Sequence, residues 1–248
     1  VIGGGPGGYV AAIRAAQLNK QVALVERERV GGTCLNHGCI PTKTLYRTAE
    51  MLTQAQNASR YGVRAENISL DLDAARTRKQ KVVDTLVGGV QSLLKSNGVT
   101  VISGEASFTD ASTLRVGDET YAADAFLIAT GSRTAALPIE GIGLDGVLDS
   151  TSALRLNDIP KSLVLIGGGV IGVELAGIYR AFGAEVTIVE FLPSILSTLD
   201  GELAKFAAKR LRAQGVTVLT GTKVTKIAGA PGGFTVLAES PDGERSLA

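Results

Sequence analysis

Two cysteines separated by four residues carry the most reactive side chains of this chain. They are Cys34 and Cys39, the only cysteines present, within the run GGTCLNHGCIPTK at residues 31–43. A dithiol releases or takes up an electron pair as its disulfide closes or opens, and thiolates carry out that exchange. Zinc and iron–sulfur sites need about four Cys or His ligands. Because the chain has 2 cysteines and 1 histidine, we predict a redox-active pair and no metal site.

Two other interpretations of the cysteine pair stay open. A structural disulfide across so short a loop would stabilise little, and a reducing compartment would open it. Two inert, buried thiols would carry out no chemistry. Cys39 lies just before a helix predicted to start at Thr42, so the positive end of the helix dipole favours its thiolate. We therefore favour Cys39 as the reactive thiolate and Cys34 as the thiol that exchanges with substrate.

Two glycine fingerprints of the form GxGxxG, at residues 3–8 and 167–172, indicate dinucleotide binding. The first glycine permits a tight turn, the second lets backbone approach a pyrophosphate, and the third allows close helix packing. The helix that follows presents unpaired N–H groups to the phosphates. The alternative, glycine-rich turns in an ordinary parallel sheet, stays open.

The fingerprints belong to an internal repeat. In both copies a helix-length segment and an apolar strand follow, and an acid stands 18 residues beyond the last glycine. This pattern predicts an α/β protein with two Rossmann-like domains and parallel sheets. The repeated elements are the helices Tyr9–Leu18 and Val173–Phe182, the strands Val22–Val25 and Val186–Val189, and the acids Glu26 and Glu190.

The two acids indicate which nucleotides bind. A carboxylate at this position accepts a hydrogen bond from a ribose 2′-hydroxyl and repels a 2′-phosphate. The six residues after Glu190, FLPSIL, include no arginine to hold such a phosphate. We therefore predict NAD rather than NADP at the second site and an unphosphorylated adenosine ribose at Glu26, although strand-end acids in contact with solvent remain an alternative.

The remaining elements must hold these sites in place. We predict a helical excursion, small antiparallel strands, a buried strand and a Pro/Gly-rich connector between the repeats. The domain boundary then falls near residue 150, giving domains at 1–149 and 150–248. The elements are the helices Thr42 to about Ala58 and about Asp71 to Asn97, the strands Val99–Ile102, Thr113–Val116, Thr120–Ala122 and Ala125–Ala129, and the connector Leu137–Gly146.

Composition excludes several classes of partner. The 248 residues include 25 Lys and Arg against 24 Asp and Glu, which argues against nucleic acid. No apolar run approaches the roughly 20 residues that span a bilayer, and no secretion signal is present, so we expect a cytoplasmic protein without membrane attachment. The first fingerprint follows only Val1 and Ile2, without an initiator Met, so we expect a fragment of a longer protein.

The run at residues 31–43 resembles the redox-disulfide signature of the flavin-dependent pyridine nucleotide–disulfide oxidoreductases. The first fingerprint, the segment Ala129–Ser132 and the second fingerprint occur in the order typical of that family, and the resemblance covers essentially the whole chain. Leu35-Asn36 and Ile40-Pro41 are most similar to the dihydrolipoamide dehydrogenase branch. The resemblance implies the cofactors FAD and NAD, with electrons passing from dihydrolipoyl groups to NAD.

The resemblance also implies residue roles. Cys39 would face the isoalloxazine, Cys34 would be the interchange thiol, and Lys43 would lie near flavin N5, paired with Glu174. Ala106 would touch the adenine through its backbone, and Ile171 would lie near the nicotinamide channel. The implied FAD-binding residues are Gly3, Gly5, Pro6, Gly7, Gly8, Glu26, Arg27, Gly32, Thr33, Lys43, Ala106, Thr130, Gly131 and Ser132; those implied for NAD are Gly167, Gly169, Ile171, Gly172, Glu174, Glu190 and Val224.

The chain departs from the family pattern in its catalytic base. The family uses a His–Glu pair in a C-terminal dimerisation domain, which we expect to lie outside this chain, together with part of the NAD-binding domain. We do not assign His37 as that base, and we expect the chain alone not to turn over lipoamide. The implied partners are a lipoyl-bearing acyltransferase of a 2-oxo acid dehydrogenase complex and a second subunit in a homodimer. Another disulfide or mercuric reductase of the family, or a non-catalytic nucleotide-binding module, are the alternatives.

Overall fold

A computed structural model describes residues 1–248, which form two compact units. The first unit comprises residues 1–41 and 77–134, and the second comprises residues 42–76 and 135–248. The predicted division into an FAD-binding domain at residues 1–149 and an NAD-binding domain at residues 150–248 stays a prediction.

The first unit contains a parallel strand pair and a three-stranded antiparallel sheet. Two long helices, α3 (Cys39–Gln56) and α4 (Leu72–Ser96), each begin in one unit and end in the other. The other elements are helix α1 (Pro6–Gln17), strand β1 (Ala23–Glu26), helix α2 (Gly32–Asn36) and strands β2 (Thr100–Ser103), β3 (Ala106–Phe108), β4 (Thr113–Val116) and β5 (Glu119–Ala122).

The core of the first unit lies between β1 and the helices. Strand β1 pairs in parallel with β2, in register from Ala23–Thr100 to Glu26–Ser103. Leu24 of β1 is fully buried against Ala12 of α1 and an apolar stripe of α4. That stripe repeats every three or four residues, the period that places side chains on one helix face. Its members are Val83, Val87, Val90 and Leu94.

The buried strand predicted at Ala125–Ala129 is wrong. The segment forms only an isolated bridge between Ile128 and Ile2, and Leu127 and Ile128 are 43% and 65% exposed. An apolar run becomes a buried strand only where neighbouring strands and helices cover it. Here Ile2 alone exchanges backbone hydrogen bonds with it, donating to the Leu127 carbonyl and accepting from the Ala129 N–H.

The second unit contains a parallel sheet in the order β6-β7-β8 and an antiparallel sheet in the order β11-β10-β9. Its elements besides parts of α3 and α4 are a 3₁₀ turn (Ala58–Tyr61), helices α5 (Ser150–Ala153), α6 (Val170–Ala181) and α7 (Gly201–Ala213), and strands β6 (Ser162–Ile166), β7 (Glu185–Val189), β8 (Thr217–Leu219), β9 (Lys223–Ala230), β10 (Gly233–Ser240) and β11 (Gly243–Leu247).

The main core of the second unit gathers around α6. Its buried residues Leu175 and Ile178 pack with Ile188 of β7 and with Leu45 of α3. Tyr179, also on α6, donates a hydrogen bond to the Ala153 carbonyl, and burial raises its pKa to about 12. Helix α3 is therefore fixed to the second unit from its second turn onward.

The predicted α/β class, with parallel sheets and small antiparallel strands, is confirmed. Helix α3 starts at Cys39 rather than at Thr42. Pro41 falls within the first turn, where a proline's missing N–H removes no helical hydrogen bond. None of the helices combines the length and the apolar character needed to cross a membrane.

Candidate functional site

The first fingerprint is a tight loop leading into α1. A Cβ atom on Gly8 would lie 1.8 Å from the carbonyl oxygen of Gly3, so helix and loop touch through backbone alone. Helix α1 begins at Pro6, and no side chain caps it at Gly5. An uncapped helix start leaves first-turn N–H groups available to an anion. The loop therefore has the shape and polarity that a pyrophosphate requires.

The second fingerprint repeats this geometry. A Cβ atom on Gly172 would lie 2.1 Å from the Gly167 carbonyl oxygen, and α6 begins after Gly169 without a side-chain cap. Cβ atoms built on Gly167 and Gly169 would meet nothing within 4 Å. The approach to this helix start is therefore open, and a nucleotide could bring its phosphates close to the backbone.

Each strand-end acid is tied to its own fingerprint. Glu26 accepts hydrogen bonds from the N–H of Gly4 at 2.7 Å and from the N–H of Glu28 at 2.9 Å. Glu190 accepts from the N–H of Gly168 at 2.6 Å and from the N–H of Leu192 at 2.7 Å. A carboxylate has about four lone-pair positions, so each acid can brace its loop and still accept from a ribose hydroxyl. The ribose contact is predicted from the sequence, whereas the hydrogen bonds from each acid to its own loop are not.

The cysteine segment rests directly on the first fingerprint. Gly31 donates its N–H to the carbonyl of Gly4 at 2.7 Å. Gly32 has φ +55°, and a Cβ atom there would lie 2.6 Å from the Cα of Gly5. Only glycine permits this approach. The segment that carries the dithiol is thus fixed to the loop with the pyrophosphate-binding geometry.

Both cysteines belong to the first unit and begin or lie within helices. Cys34 is half-buried in α2 and packs against the core, whereas Cys39 is the exposed first residue of α3. Both are thiols in this structure. Exposure alone does not separate the roles of the two thiols, because a bound cofactor would cover whichever one faces it.

Side chains between the cysteines bind the segment that precedes them. The Asn36 amide donates to the carbonyls of Arg29, Val30 and Gly32 at 3.4, 3.2 and 3.0 Å. His37 Nε2 lies 3.2 Å from Glu28 Oε2. These contacts are not predictable from the sequence, since single polar side chains in a loop form no periodic pattern.

Lys43 and Glu174 form an ion pair within the second unit. Lys43 Nζ lies 2.6 and 2.8 Å from the two carboxylate oxygens of Glu174, so the predicted pairing is present. It forms because Leu45 on α3 and Leu175 on α6 share one core. The proximity of Lys43 to flavin N5 stays a prediction.

The other predicted cofactor residues occupy varied positions. Ala106 pairs with Val116 in the β3–β4 ladder, and Arg27 lies 3.8 Å from Glu28 and from Glu105. Val224 is buried in a core cluster, so only its backbone could touch a nucleotide. The exposed ones are Pro6, Gly7, Arg27, Thr33, Thr130, Gly131, Ser132, Gly169 and Ile171.

Comparison with known proteins shows the family to which this chain belongs. The sequence model for the pyridine nucleotide-disulphide oxidoreductases matches residues 1–246. The dihydrolipoyl dehydrogenase of Geobacillus stearothermophilus is 46% identical over 244 residues, which cover 97% of this chain and 52% of that protein. The dihydrolipoyl dehydrogenase of Thermus scotoductus is 45% identical over 245 residues, which cover 98% of this chain and 52% of that protein.

A solved structure is similar along nearly the whole chain. The HOCl-induced flavoprotein disulfide reductase RclA from Escherichia coli superposes with a TM-score of 0.82 at 34% identity, covering 99% of this chain and 53% of that one. The chain belongs to the pyridine nucleotide-disulphide oxidoreductase family. It spans about half the length of the curated relatives that it matches.

Proposed function

We propose that this chain is part of a dihydrolipoyl dehydrogenase that binds FAD and NAD. The observation that carries the proposal is the seating of the dithiol segment on the first fingerprint, through Gly31 and Gly32. Because Gly31 and Gly32 contact Gly4 and Gly5 within one unit, this observation supports a thiol couple that acts beside a nucleotide-binding loop. The dihydrolipoyl dehydrogenases at 45–46% identity support the choice of substrate.

The residues of both loops fit the two nucleotides. In the first unit, Gly3, Gly5 and Gly8 would hold the FAD pyrophosphate, and Glu26 would bind the adenosine ribose. In the second unit, the fingerprint from Gly167 to Gly172 would hold NAD in the same way. FAD, when bound, supplies a two-electron carrier between the dithiol and NAD.

The chemistry of the cysteine pair is thiol–disulfide exchange. A dihydrolipoyl thiolate attacks one sulfur of the Cys34–Cys39 disulfide, forms a mixed disulfide and releases the other cysteine as a thiolate. The second lipoyl sulfur then displaces the first cysteine and closes the lipoyl disulfide. Two electrons and two protons pass in total from the dihydrolipoyl group to Cys34 and Cys39. A base must take up the substrate proton, and we assign that role to no residue of this chain.

We further propose NAD rather than NADP as the nicotinamide nucleotide. Both oxygens of Glu190 are fixed by backbone N–H groups, so the carboxylate cannot swing away from an incoming 2′-phosphate. Phe191 and Leu192, the next residues, are apolar and exposed. We also propose a cytoplasmic location, a homodimer and a lipoyl-bearing acyltransferase as partner.

The experiment is reconstitution of the 248-residue chain with FAD. We expect a yellow complex whose flavin absorbance is bleached by dihydrolipoamide at about pH 8.5, where buffer and ionised thiols replace a protein base. A Cys39→Ser variant should bind FAD equally well but resist bleaching. Reduced glutathione, tested in parallel, addresses the reductase alternative.

Three results would overturn the proposal. Failure to bind FAD would leave a dithiol protein without its nucleotide. Binding without bleaching by any dithiol would indicate a non-catalytic nucleotide module. Faster bleaching by glutathione than by dihydrolipoamide would assign the chain to another disulfide reductase.

A further inference from the structure

The loop between the two cysteines is joined to the strand end that holds the first nucleotide-site acid. His37 Nε2 lies 3.2 Å from Glu28 Oε2. Glu28 in turn donates its backbone N–H to Glu26, and Glu26 accepts from the N–H of Gly4. A chain of polar contacts therefore runs from the fingerprint to the cysteine loop, entirely within the first unit.

We propose that His37 is a positioning residue for the dithiol and that its contact with Glu28 keeps Cys34 and Cys39 at disulfide-forming distance. The contact is strongest when the imidazole is protonated, because it is then an ion pair as well as a hydrogen bond. The inference rests on the proposed function, since it concerns the same Cys34–Cys39 couple.

The geometric requirement of a disulfide explains why the loop matters. The two sulfurs must come within about 2.05 Å, with the two Cα atoms roughly 4.4–6.8 Å apart. His37 is two residues from Cys39, which places their Cα atoms at most about 7 Å apart. A loop held at this point samples fewer conformations, so each thiol sees a higher effective concentration of the other.

Charged side chains lie around the contact between His37 and Glu28. Glu28 is the acidic partner, with a side chain 58% exposed, against 25% for His37. Arg27 lies 3.8 Å from the other oxygen of Glu28 and 3.8 Å from Glu105. The thiols of Cys34 and Cys39 flank the loop. Histidine side chains ordinarily change charge between about pH 5 and 8, so measurements on both sides of that range test whether an imidazole charge contributes to the contact.

The measured reaction is oxidation of the chain by glutathione disulfide. The S–H bonds of Cys34 and Cys39 break and one S–S bond forms. The two electrons and two protons reduce one glutathione disulfide to two glutathione molecules. Because the chain has no other cysteine, alkylation followed by mass measurement reports the oxidised fraction without ambiguity.

The experiment compares the full chain with His37→Gln, Glu28→Gln and a control, Glu105→Gln. Glutamine at position 37 keeps a neutral N–H donor but cannot become charged. Glu105 pairs with Arg27, whereas His37 pairs with Glu28, so Glu105→Gln matches the charge change of Glu28→Gln. Each chain is equilibrated in glutathione buffers at about pH 5.5 and pH 8.5, from both its oxidised and its reduced form.

We expect the disulfide-forming equilibrium constant of the unmodified chain to exceed that of His37→Gln and Glu28→Gln by about two- to fivefold at pH 5.5, the range of a half-exposed ion pair. At pH 8.5 the ratio for His37→Gln should approach one. Glu105→Gln should match the unmodified chain at both pH values, and circular dichroism should confirm folding.

Two failures are distinguishable. If the unmodified chain forms no Cys34–Cys39 disulfide at any glutathione ratio, the proposed redox function is wrong. If the disulfide forms but its equilibrium constant is equal in all four chains, or differs by the same factor at both pH values, the redox function stands and the role of His37 is overturned.

Discussion

Replacing Glu190 with alanine tests whether the acid of the second nucleotide site also holds its loop. The substitution removes two acceptors, at 2.6 Å from the N–H of Gly168 and 2.7 Å from the N–H of Leu192. Hydrogen bonds to a charged group contribute about 1.5–3 kcal/mol each when shielded. The hydrogen bond from Gly168 is partly buried, so it contributes most of that free energy. The exposed Leu192 N–H can bind water once the carboxylate is removed, so its hydrogen bond contributes only roughly 0.5 kcal/mol.

The expected loss is therefore about 2–3 kcal/mol in the free energy of unfolding. Urea titrations followed by far-ultraviolet circular dichroism measure it. Glu185→Ala is the matched control, because that acid is exposed at the opposite end of the same strand; its effect should stay within about 0.5 kcal/mol. NADH affinity should fall in Glu190→Ala but not in Glu185→Ala. Equal stability of the two variants would show that the hydrogen bonds of Glu190 to Gly168 and Leu192 do not stabilise the loop, even if NADH binding were lost.

Four further predictions test separate parts of the account. Gly8→Ala should lower the free energy of unfolding by about 3 kcal/mol or more, since its Cβ would lie 1.8 Å from the Gly3 oxygen. Gly7→Ala, which has open space around its Cβ, should change that free energy by less than about 1 kcal/mol. Equal losses for the two variants in urea titrations would contradict this prediction. A double-mutant cycle on Lys43 and Glu174 should give a coupling free energy below about 1 kcal/mol, because both side chains are partly exposed to solvent. A larger coupling would contradict solvent screening of this ion pair. Asp149→Ala should lower stability by about 0.5–2 kcal/mol at neutral pH by removing the cap of α5. Hydrogen bonds from the backbone and side chain of Ser152 lower the pKa of the Asp149 carboxyl below 3.8. The stabilisation by Asp149 is therefore complete above pH 3.8 and disappears as the pH falls through the lowered pKa. A stability difference between Asp149→Ala and the unmodified chain that persists in stronger acid would contradict this prediction. Finally, when the variants are given oxidised lipoamide, a cysteine thiolate opens its ring disulfide, forming a mixed disulfide and releasing the other lipoyl sulfur as a thiol. This adduct should accumulate on Cys34 in Cys39→Ser and not on Cys39 in Cys34→Ser, as mass measurement of trapped adducts can determine.

The nucleotide loops are predictable from sequence because their geometry depends on the absence of side chains. A Cβ on Gly8 or Gly172 collides with backbone, so only glycine suits these positions. The acids at Glu26 and Glu190 follow from the same repeat. The pairing of Lys43 with Glu174, by contrast, was expected only from the resemblance to the family, since 131 residues separate them.

Other features could not be read from the sequence for physical reasons. The apolar run Ala125–Ala129 predicted burial, but burial depends on covering elements that a local pattern does not specify. Helix α2 spans only five residues, Gly32–Asn36, too few for periodicity to appear. The contacts of His37 and Asn36 depend on how the backbone folds back on residues 28–32.

In the proposed reaction, Cys34 and Cys39 form a disulfide that accepts electrons from a dihydrolipoyl dithiol. The most direct measurement oxidises the chain, adds dihydrolipoamide, quenches with an alkylating reagent and counts modified cysteines by mass. We expect both cysteines to change from unmodified to alkylated as lipoamide disulfide appears in equal amount. A chain whose cysteines are alkylated to the same extent before and after dihydrolipoamide would contradict it.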